Sequence, residues 1–202
     1  MKNKILGSIR NAIKKQYPNY NKDKIDEIMY GVEGLYLTIT KTIIIFTLAF
    51  FLGILKELII LLITFNFIRL FGFGMHANNS LTCLIFSSSL FIIGTYICKY
   101  ASFNQYVLYP LFILALLIII LYAPADTKKR PLIKKKKRTR YKILSIIIVL
   151  IYFILSIIIR DKVIINSLII GLLIECILIL PITYRIFKMP YNNYKNYGLN
   201  AK

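Results

Sequence analysis

The stretch KILSIIIVLIYFILSIII, residues 142–159, directly follows the basic stretch RPLIKKKKRTRY, residues 130–141. An apolar run of this kind can cross the hydrocarbon layer of a membrane as a helix, which needs about 17 to 25 such residues. Basic residues beside an apolar span stay on the cytoplasmic side of the membrane. This pairing predicts a helical membrane protein.

The composition of the whole chain supports the same class. Its 202 residues are 58% hydrophobic, and 27 basic against 8 acidic residues give a net charge of +19. Nucleic-acid binding would explain the charge but not the apolar runs, whereas a membrane protein with cationic loops explains both. We therefore expect membrane lipids, and no nucleic acid, as partners of the basic run.

Apolar runs recur along the chain and define the predicted fold. Residues 3–35 alternate charged and apolar residues, which predicts one or two amphipathic helices on the membrane surface, broken near Tyr17-Pro18-Asn19. Span 57–71 is short for a bilayer and is either tilted or only partly inserted. The predicted class is an all-α polytopic membrane protein with about six transmembrane helices. The spans are 36–55, 57–71, 81–98, 106–123, 142–159 and 163–184.

The distribution of charge predicts the orientation of these spans. The stretch from Asp126 to Lys142 holds ten Lys or Arg and one Asp, and the first 35 residues hold seven Lys or Arg. The other connections are short and nearly neutral. With six spans, the rule that basic loops stay inside places both termini, the 72–80 loop and the basic loop in the cytoplasm.

The chain is accordingly divided into three parts. Residues 1–35 form the cytoplasmic interfacial segment, 36–187 the transmembrane domain with its basic loop at 124–142, and 188–202 a cytoplasmic basic tail. No signal peptidase site follows an early apolar core, so the N-terminal residues are not predicted to be a cleaved signal peptide.

The stretch GFGMHANNSLTC, residues 72–83, holds the only histidine, His76, and one of the three cysteines, Cys83. In an unbroken helix these two side chains would lie about 10 Å apart along the axis, too far for proton transfer. Asn78 favours a turn and Ser80 is a natural N-cap, so both support a break that folds His76 back over the next helix. Cys83 then lies in the first turn of that helix, where the positive helix end stabilises a thiolate nucleophile.

Simpler interpretations apply to most of these residues. Cys98 and Cys176 lie in apolar runs and are expected only to pack, so no disulfide framework is predicted. Arg69 near a membrane end is typically an anchor that extends to the interface. Glu175, an acid inside a predicted span, is expected to pair with a Lys or Arg of another span or to line a polar cavity.

The sequence does not support a zinc protease or a serine hydrolase. A single histidine excludes the HExxH zinc proteases and any site with two histidine ligands, and the chain has no GxSxG motif. We expect neither a metal nor a cofactor.

The motif formed by Arg69, Gly74, His76-Ala77 and Cys83 resembles that of the accessory gene regulator protein B (AgrB) family. The stretch YAPADTKKRPL, residues 122–132, is similar to the segment that follows the fourth span in that family. The resemblance extends over most of the chain. It departs at Phe73, where members often carry the first of two adjacent glycines, and this bears on the conformation of the loop.

The resemblance implies an activity. Members are integral-membrane cysteine endopeptidases of bacteria, mostly Gram-positive, which process a small precursor peptide (AgrD) into a cyclic signalling peptide. Carried over, Cys83 would be the nucleophile and His76 the general base. The remaining positions implied are Arg69 and Gly74 as supporting residues, and Lys128, Lys129 and Arg130 as a basic substrate contact. A plasma-membrane location follows, and a homodimer is compatible with the family's behaviour.

Several alternatives stay open at this stage. Asn78, Asn79 and Asp126 are unranked candidates for a group that orients the histidine, and backbone N–H groups at the start of the third span are the candidate oxyanion donors. A small peptide transporter, with Glu175 and Arg69 along its path, is the main alternative function. A membrane-bound regulator that only holds its partner is another. Neither alternative needs the thiol of Cys83.

Overall fold

The structure is a computed structural model that describes residues 2–75, 80–127 and 132–195. Within these ranges the chain is predominantly helical, so the predicted all-α class is confirmed. The eight helices of the described ranges are α1 (Lys2–Gln16), α2 (Lys22–Phe51), α3 (Leu55–Gly72), α4 (Ser80–Tyr100), α5 (Gln105–Tyr122), α6 (Lys135–Ile158), α7 (Lys162–Ile179) and α8 (Pro181–Ile186).

The chain forms two compact units, residues 1–47 and residues 48–202. In the first unit, α1 and the start of α2 are joined by an ion pair between Arg10 and Asp26. The two helices are separated at the predicted break near Tyr17-Pro18-Asn19. α2 then continues without interruption through residue 35, where the sequence places the boundary of the amphipathic segment.

Two predicted spans end later than the helices that form them. The span predicted at 36–55 ends at Phe51, because Gly53 adopts a left-handed backbone with φ of 64° that stops the helix. The span predicted at 163–184 ends at Ile179, because Pro181 has no N–H to continue the helix and instead begins α8. Both boundaries were wrong, although the glycine and the proline are visible in the sequence.

Five of the described helices are long and apolar enough to cross a membrane. They are α2, the Thr82–Tyr100 part of α4, α5, α6 and α7. The helix that corresponds to the short span 57–71 is α3, which is not among the five and carries Lys56, Glu57 and Arg69. The two alternatives for this span, a tilted helix or partial insertion, both stay predictions.

The core of the second unit lies between α3 and α7. α7 also packs against α4, α5 and α6, and most of its residues from 166 to 176 are buried. A Cβ on Gly171 would lie 2.9 Å from Thr64 Oγ1, so glycine is needed where the two helices approach. Thr64 Oγ1 also donates a hydrogen bond of 2.9 Å to the Ser167 carbonyl. Tyr152 donates one of 2.7 Å to the Thr64 carbonyl, so the side-chain hydroxyls of Thr64 and Tyr152 are both paired in this core.

Hydrogen bonds between the connections of the second unit gather them at two ends. At one end, Lys99 donates to the Gly53 carbonyl and Asn166 donates to the Ala101 carbonyl over 2.8 Å. We call this the neutral end. The other end, which we call the basic end, collects the end of α3, the start of α4, residues 123–127, the start of α6 and residues 175–195. The parts of the 72–80 and 124–142 loops that the structure describes therefore lie together, as their predicted common side requires.

Candidate functional site

Arg69, in the last turn of α3, connects two elements at the basic end. Its Nη1 donates to Glu175 Oε2 of α7 over 3.2 Å, and its Nη2 donates to the carbonyls of Gly74 and Met75 over 3.2 and 2.9 Å. The Glu175 side chain is completely buried and that of Arg69 is 14% exposed. Arg69 is thus the basic partner of Glu175. Its guanidinium connects α7 to the backbone of Gly74 and Met75, which precedes residues 76–79.

That backbone is held from two further directions. The Gly74 N–H donates to the Ala125 carbonyl over 2.8 Å, and the Ala125 N–H donates to the Gly72 carbonyl over 3.0 Å. The Met75 N–H donates to the Leu178 carbonyl at the end of α7 over 3.0 Å. These bonds, with those of Arg69, fix the chain up to the residue before His76.

Gly72 and Gly74 are the residues that this arrangement requires. Gly74 has φ of 88°, a left-handed conformation, and a Cβ there would lie 2.9 Å from the Leu178 carbonyl oxygen. A Cβ on Gly72 would lie 3.1 Å from Glu175 Cδ and closer still to its Oε1. Phe73, the departure from the family's glycine pair, adopts φ of 65° and is buried. The backbone conformation usual for glycine is therefore kept at this position.

Cys83 lies in the first turn of α4, as predicted, and is half-buried. The helix begins at Ser80, so this serine is its first residue and not the residue before it. The Cys83 carbonyl accepts a hydrogen bond of 2.6 Å from Ser87 Oγ. Cys98 and Cys176 are buried in the core, which agrees with their predicted packing role. Cys83 is therefore the most accessible of the three thiols.

The other predicted site residues fall outside the described ranges. His76, Asn78 and Asn79 belong to the segment between α3 and α4, and Lys128, Lys129 and Arg130 belong to the segment before Leu132. The pairing of His76 with Cys83 and the role of the basic cluster stay predictions.

Asp126 binds backbone groups in two separate segments, one within the basic loop and one near the C-terminus. Its carboxylate accepts hydrogen bonds from the N–H groups of Asn193 at 2.9 Å, Tyr194 at 2.8 Å and Leu132 at 3.3 Å. The residue is 2% exposed. One carboxylate thus closes the loop from 126 to 132 and attaches the C-terminal segment to it. Because both oxygens are engaged in this way, the geometry favours an anchoring role over orientation of a histidine.

Two tyrosines add contacts between the C-terminal segment and the basic loop. Tyr184 of α8 donates its hydroxyl to the carbonyls of Ala125 and Asp126, and burial raises the pKa of this phenol above its usual range. The guanidinium of Arg138 lies 3.5 Å from the ring centroid of Tyr194. Sequence reasoning missed this role of the C-terminal segment, because contacts so far apart in the chain leave no local pattern.

Comparisons with known proteins identify the family of the chain. A model of the accessory gene regulator B family matches residues 6–179. The chain is 35% identical over 176 residues to a putative AgrB-like protein of Clostridium acetobutylicum, covering 87% of this chain and 84% of that protein. It is 33% identical over 177 residues to accessory gene regulator protein B of Staphylococcus epidermidis, covering 84% and 90%. No solved structure matches. The chain therefore belongs to the accessory gene regulator B family.

Proposed function

We propose that the protein is an integral-membrane cysteine endopeptidase that removes the C-terminal tail of a small precursor peptide, leading to a cyclic thiolactone signal. Membership of the family implies a role in the accessory gene regulator quorum-sensing system, together with a precursor of the AgrD type. The peptidase chemistry, with Cys83 as nucleophile and His76 as general base, is our proposal beyond that membership.

In the proposed reaction, His76 takes the proton of the Cys83 thiol, and the sulfur attacks the carbonyl carbon of the scissile peptide bond. His76 then gives the proton to the leaving nitrogen. The C–N bond breaks, the tail departs with a free amino group, and the rest of the precursor stays bound as a thioester. Backbone N–H groups in the first turn of α4 are our candidates for stabilising the oxyanion.

Ring closure exchanges one thioester for another. A thiol of the bound peptide attacks the thioester carbonyl, the bond to Cys83 breaks, and the proton of the attacking thiol returns to the enzyme. One thioester and one thiol are present before and after this exchange, so its free-energy change is close to zero. Exclusion of water from the site keeps the activated acyl group from hydrolysis.

The observation that carries the proposal is the placement of Cys83. It is the half-buried thiol among three, it lies in the first turn of a helix, and it follows a segment whose entry is fixed by Arg69. A fixed entry next to a helix N-terminus suits a nucleophile whose base must be held within hydrogen-bond distance.

The basic end supports a precursor with an acidic tail. The open surface along the start of α6 carries Lys135, Lys136 and Arg140 beside the apolar Ile143 and Leu144. Such a surface suits an acidic peptide that lies on an anionic membrane, and we place this end, with both termini, on the cytoplasmic side of the bacterial plasma membrane. Lys128, Lys129 and Arg130 are the proposed contacts for the tail. Lipid contact and a homodimer are compatible with the same arrangement.

Co-expression with a precursor peptide encoded beside the gene tests the proposal. Mass spectrometry should detect the released tail and a thioester-linked adduct on Cys83. Cys83→Ser and His76→Ala should abolish cleavage, whereas Cys98→Ser and Cys176→Ser, at buried packing positions, should retain it. Cleavage that survives Cys83→Ser would refute the peptidase and favour a transporter or a regulator that only binds its partner.

A further inference from the structure

We propose that Glu175 is a positioning residue for the reaction, acting through Arg69 on the backbone that carries the general base. The inference rests on the peptidase proposed above and assigns a role to an acid inside α7 that the reaction itself does not use. Glu175 fixes the guanidinium of Arg69, and Arg69 fixes the carbonyls of Gly74 and Met75, the two residues before His76.

The geometry of the guanidinium carries the argument. The two terminal nitrogens of Arg69 face different elements, Nη1 towards Glu175 and Nη2 towards two consecutive carbonyls of the loop. A planar guanidinium presents its donors in a fixed fork, so its orientation on one side sets its orientation on the other. Lysine at position 69 would offer the charge without this fork.

Glu175 is an unusual choice for the core of a membrane helix bundle. Burying an ion pair generally adds little stability over apolar residues of similar size, since both charges lose their hydration. Its Oε1 has no hydrogen-bond partner among the described residues, so the carboxylate is engaged only through Oε2. A pair that adds little stability but sets a precise geometry is better explained by positioning.

The packing around Glu175 keeps its carboxylate in place. Oε1 occupies the space that a side chain at position 72 would need, and the Glu175 side chain is completely buried. One turn further along α7, the Leu178 carbonyl accepts the Met75 N–H. The end of α7 therefore holds the backbone of Gly74 and Met75 in two ways, directly through the Leu178 carbonyl and indirectly through Glu175 and Arg69.

The test measures the alkylation rate of Cys83 by iodoacetamide in the full chain carrying Cys98→Ser and Cys176→Ser, in detergent micelles. This probe needs no precursor. We expect Glu175→Gln to slow alkylation about tenfold or more, in the direction of His76→Ala, because a displacement of about 1 Å is enough to impair a catalytic pair. The matched control is Glu57→Gln, which removes the acid 3.9 Å from Lys99 at the neutral end and should leave the rate unchanged.

Two further variants separate positioning from folding. Arg69→Lys keeps the charge opposite Glu175 but loses the fork, and the exchange of Arg69→Glu with Glu175→Arg keeps a pair of charges but leaves no donor for the loop carbonyls. We expect both to slow alkylation about tenfold or more and, with the precursor, to lower kcat while KM stays within about twofold of wild type. If the ion pair only stabilised the fold, the exchange of the two charges would restore the alkylation rate.

The outcomes distinguish this proposal from the peptidase itself. If His76→Ala slows alkylation while Glu175→Gln and Arg69→Lys, both folded, react at the wild-type rate, the positioning role is wrong and the peptidase stands. If the exchange restores the rate, the positioning role is also wrong. If Cys83→Ser still cleaves the precursor, the proposed function fails first. Should Glu175→Gln not fold, Arg69→Lys alone decides.

Discussion

Replacing Gly72 by alanine should destabilise the protein, although glycine to alanine normally favours a helix. A Cβ at this position would lie 3.1 Å from Glu175 Cδ and 3.3 Å from its Cγ, with Oε1 closer than either. Three successive atoms of one buried side chain are crowded, so rotation of the carboxylate alone cannot relieve the overlap. The side chain must move and lose its bond to Arg69.

The size of the effect follows from two opposing contributions. Breaking the buried pair with Arg69 leaves a buried charge uncompensated, which costs about 3–5 kcal/mol even though the intact pair adds little over apolar residues. Alanine recovers at most about 1 kcal/mol of helix propensity at this last residue of α3. We therefore expect the free energy of unfolding to fall by about 2–4 kcal/mol, which lowers the Tm of a chain of this length by about 5–15 °C.

The buried thiols provide the assay. In a chain that carries Cys83→Ser, Cys98 and Cys176 become reactive towards a fluorogenic maleimide when the protein unfolds on heating in detergent micelles. Gly31→Ala is the matched control, because the added Cβ meets nothing within 4 Å in the middle of α2. A Tm for Gly72→Ala equal to or above that of Gly31→Ala would refute the reasoning.

Three other predictions follow from the basic end. Asp126→Asn should lower the free energy of unfolding by about 1–3 kcal/mol, because one backbone donor loses its acceptor, and should expose residues 185–195 to trypsin. The control Asp161→Asn, at the N-cap of α7, should behave as wild type because asparagine also caps well. Burial raises the pKa of Tyr191 to about 12, so the stability that this phenol contributes should be retained below about pH 10 and lost as pH rises towards 12. Tyr191→Phe should make the fall in Tm between pH 10 and 12 less steep, and an unchanged slope would contradict the raised pKa. Precursor cleavage in micelles should weaken as salt rises, given the net charge of +19, and a flat response would exclude steering of the tail by charge.

The sequence predicted the helices well because an apolar run in a membrane has few alternatives to a helix. It predicted their ends less well where one residue decides, as at Gly53 and Pro181. Both residues carry a recognisable signal, which was outweighed by the apolar residues around them.

The candidate site was predictable in its residues but not in its contacts. Physical reasoning on an acid inside a span predicts either a basic partner or a polar cavity for Glu175. The identity of its partner depends on helix packing that brings together two residues 106 positions apart in the chain. Asp126, with Asn78 and Asn79, is one of three unranked candidates to orient the histidine. The structure instead engages it with N–H groups from distant segments, and a sequence does not reveal which backbone donors need an acceptor.

The spacing of contacts along α7 restricts how this protein can change in length. Gly171 lies against α3, Glu175 reaches Arg69, and the Leu178 carbonyl holds Met75, so three points on one helix are each matched to a partner. Inserting one residue between the first and second would rotate everything beyond it by about 100° around the helix axis. Homologous chains can therefore be expected to gain or lose residues in the connections at the neutral end, but to keep the interval from 171 to 178 constant.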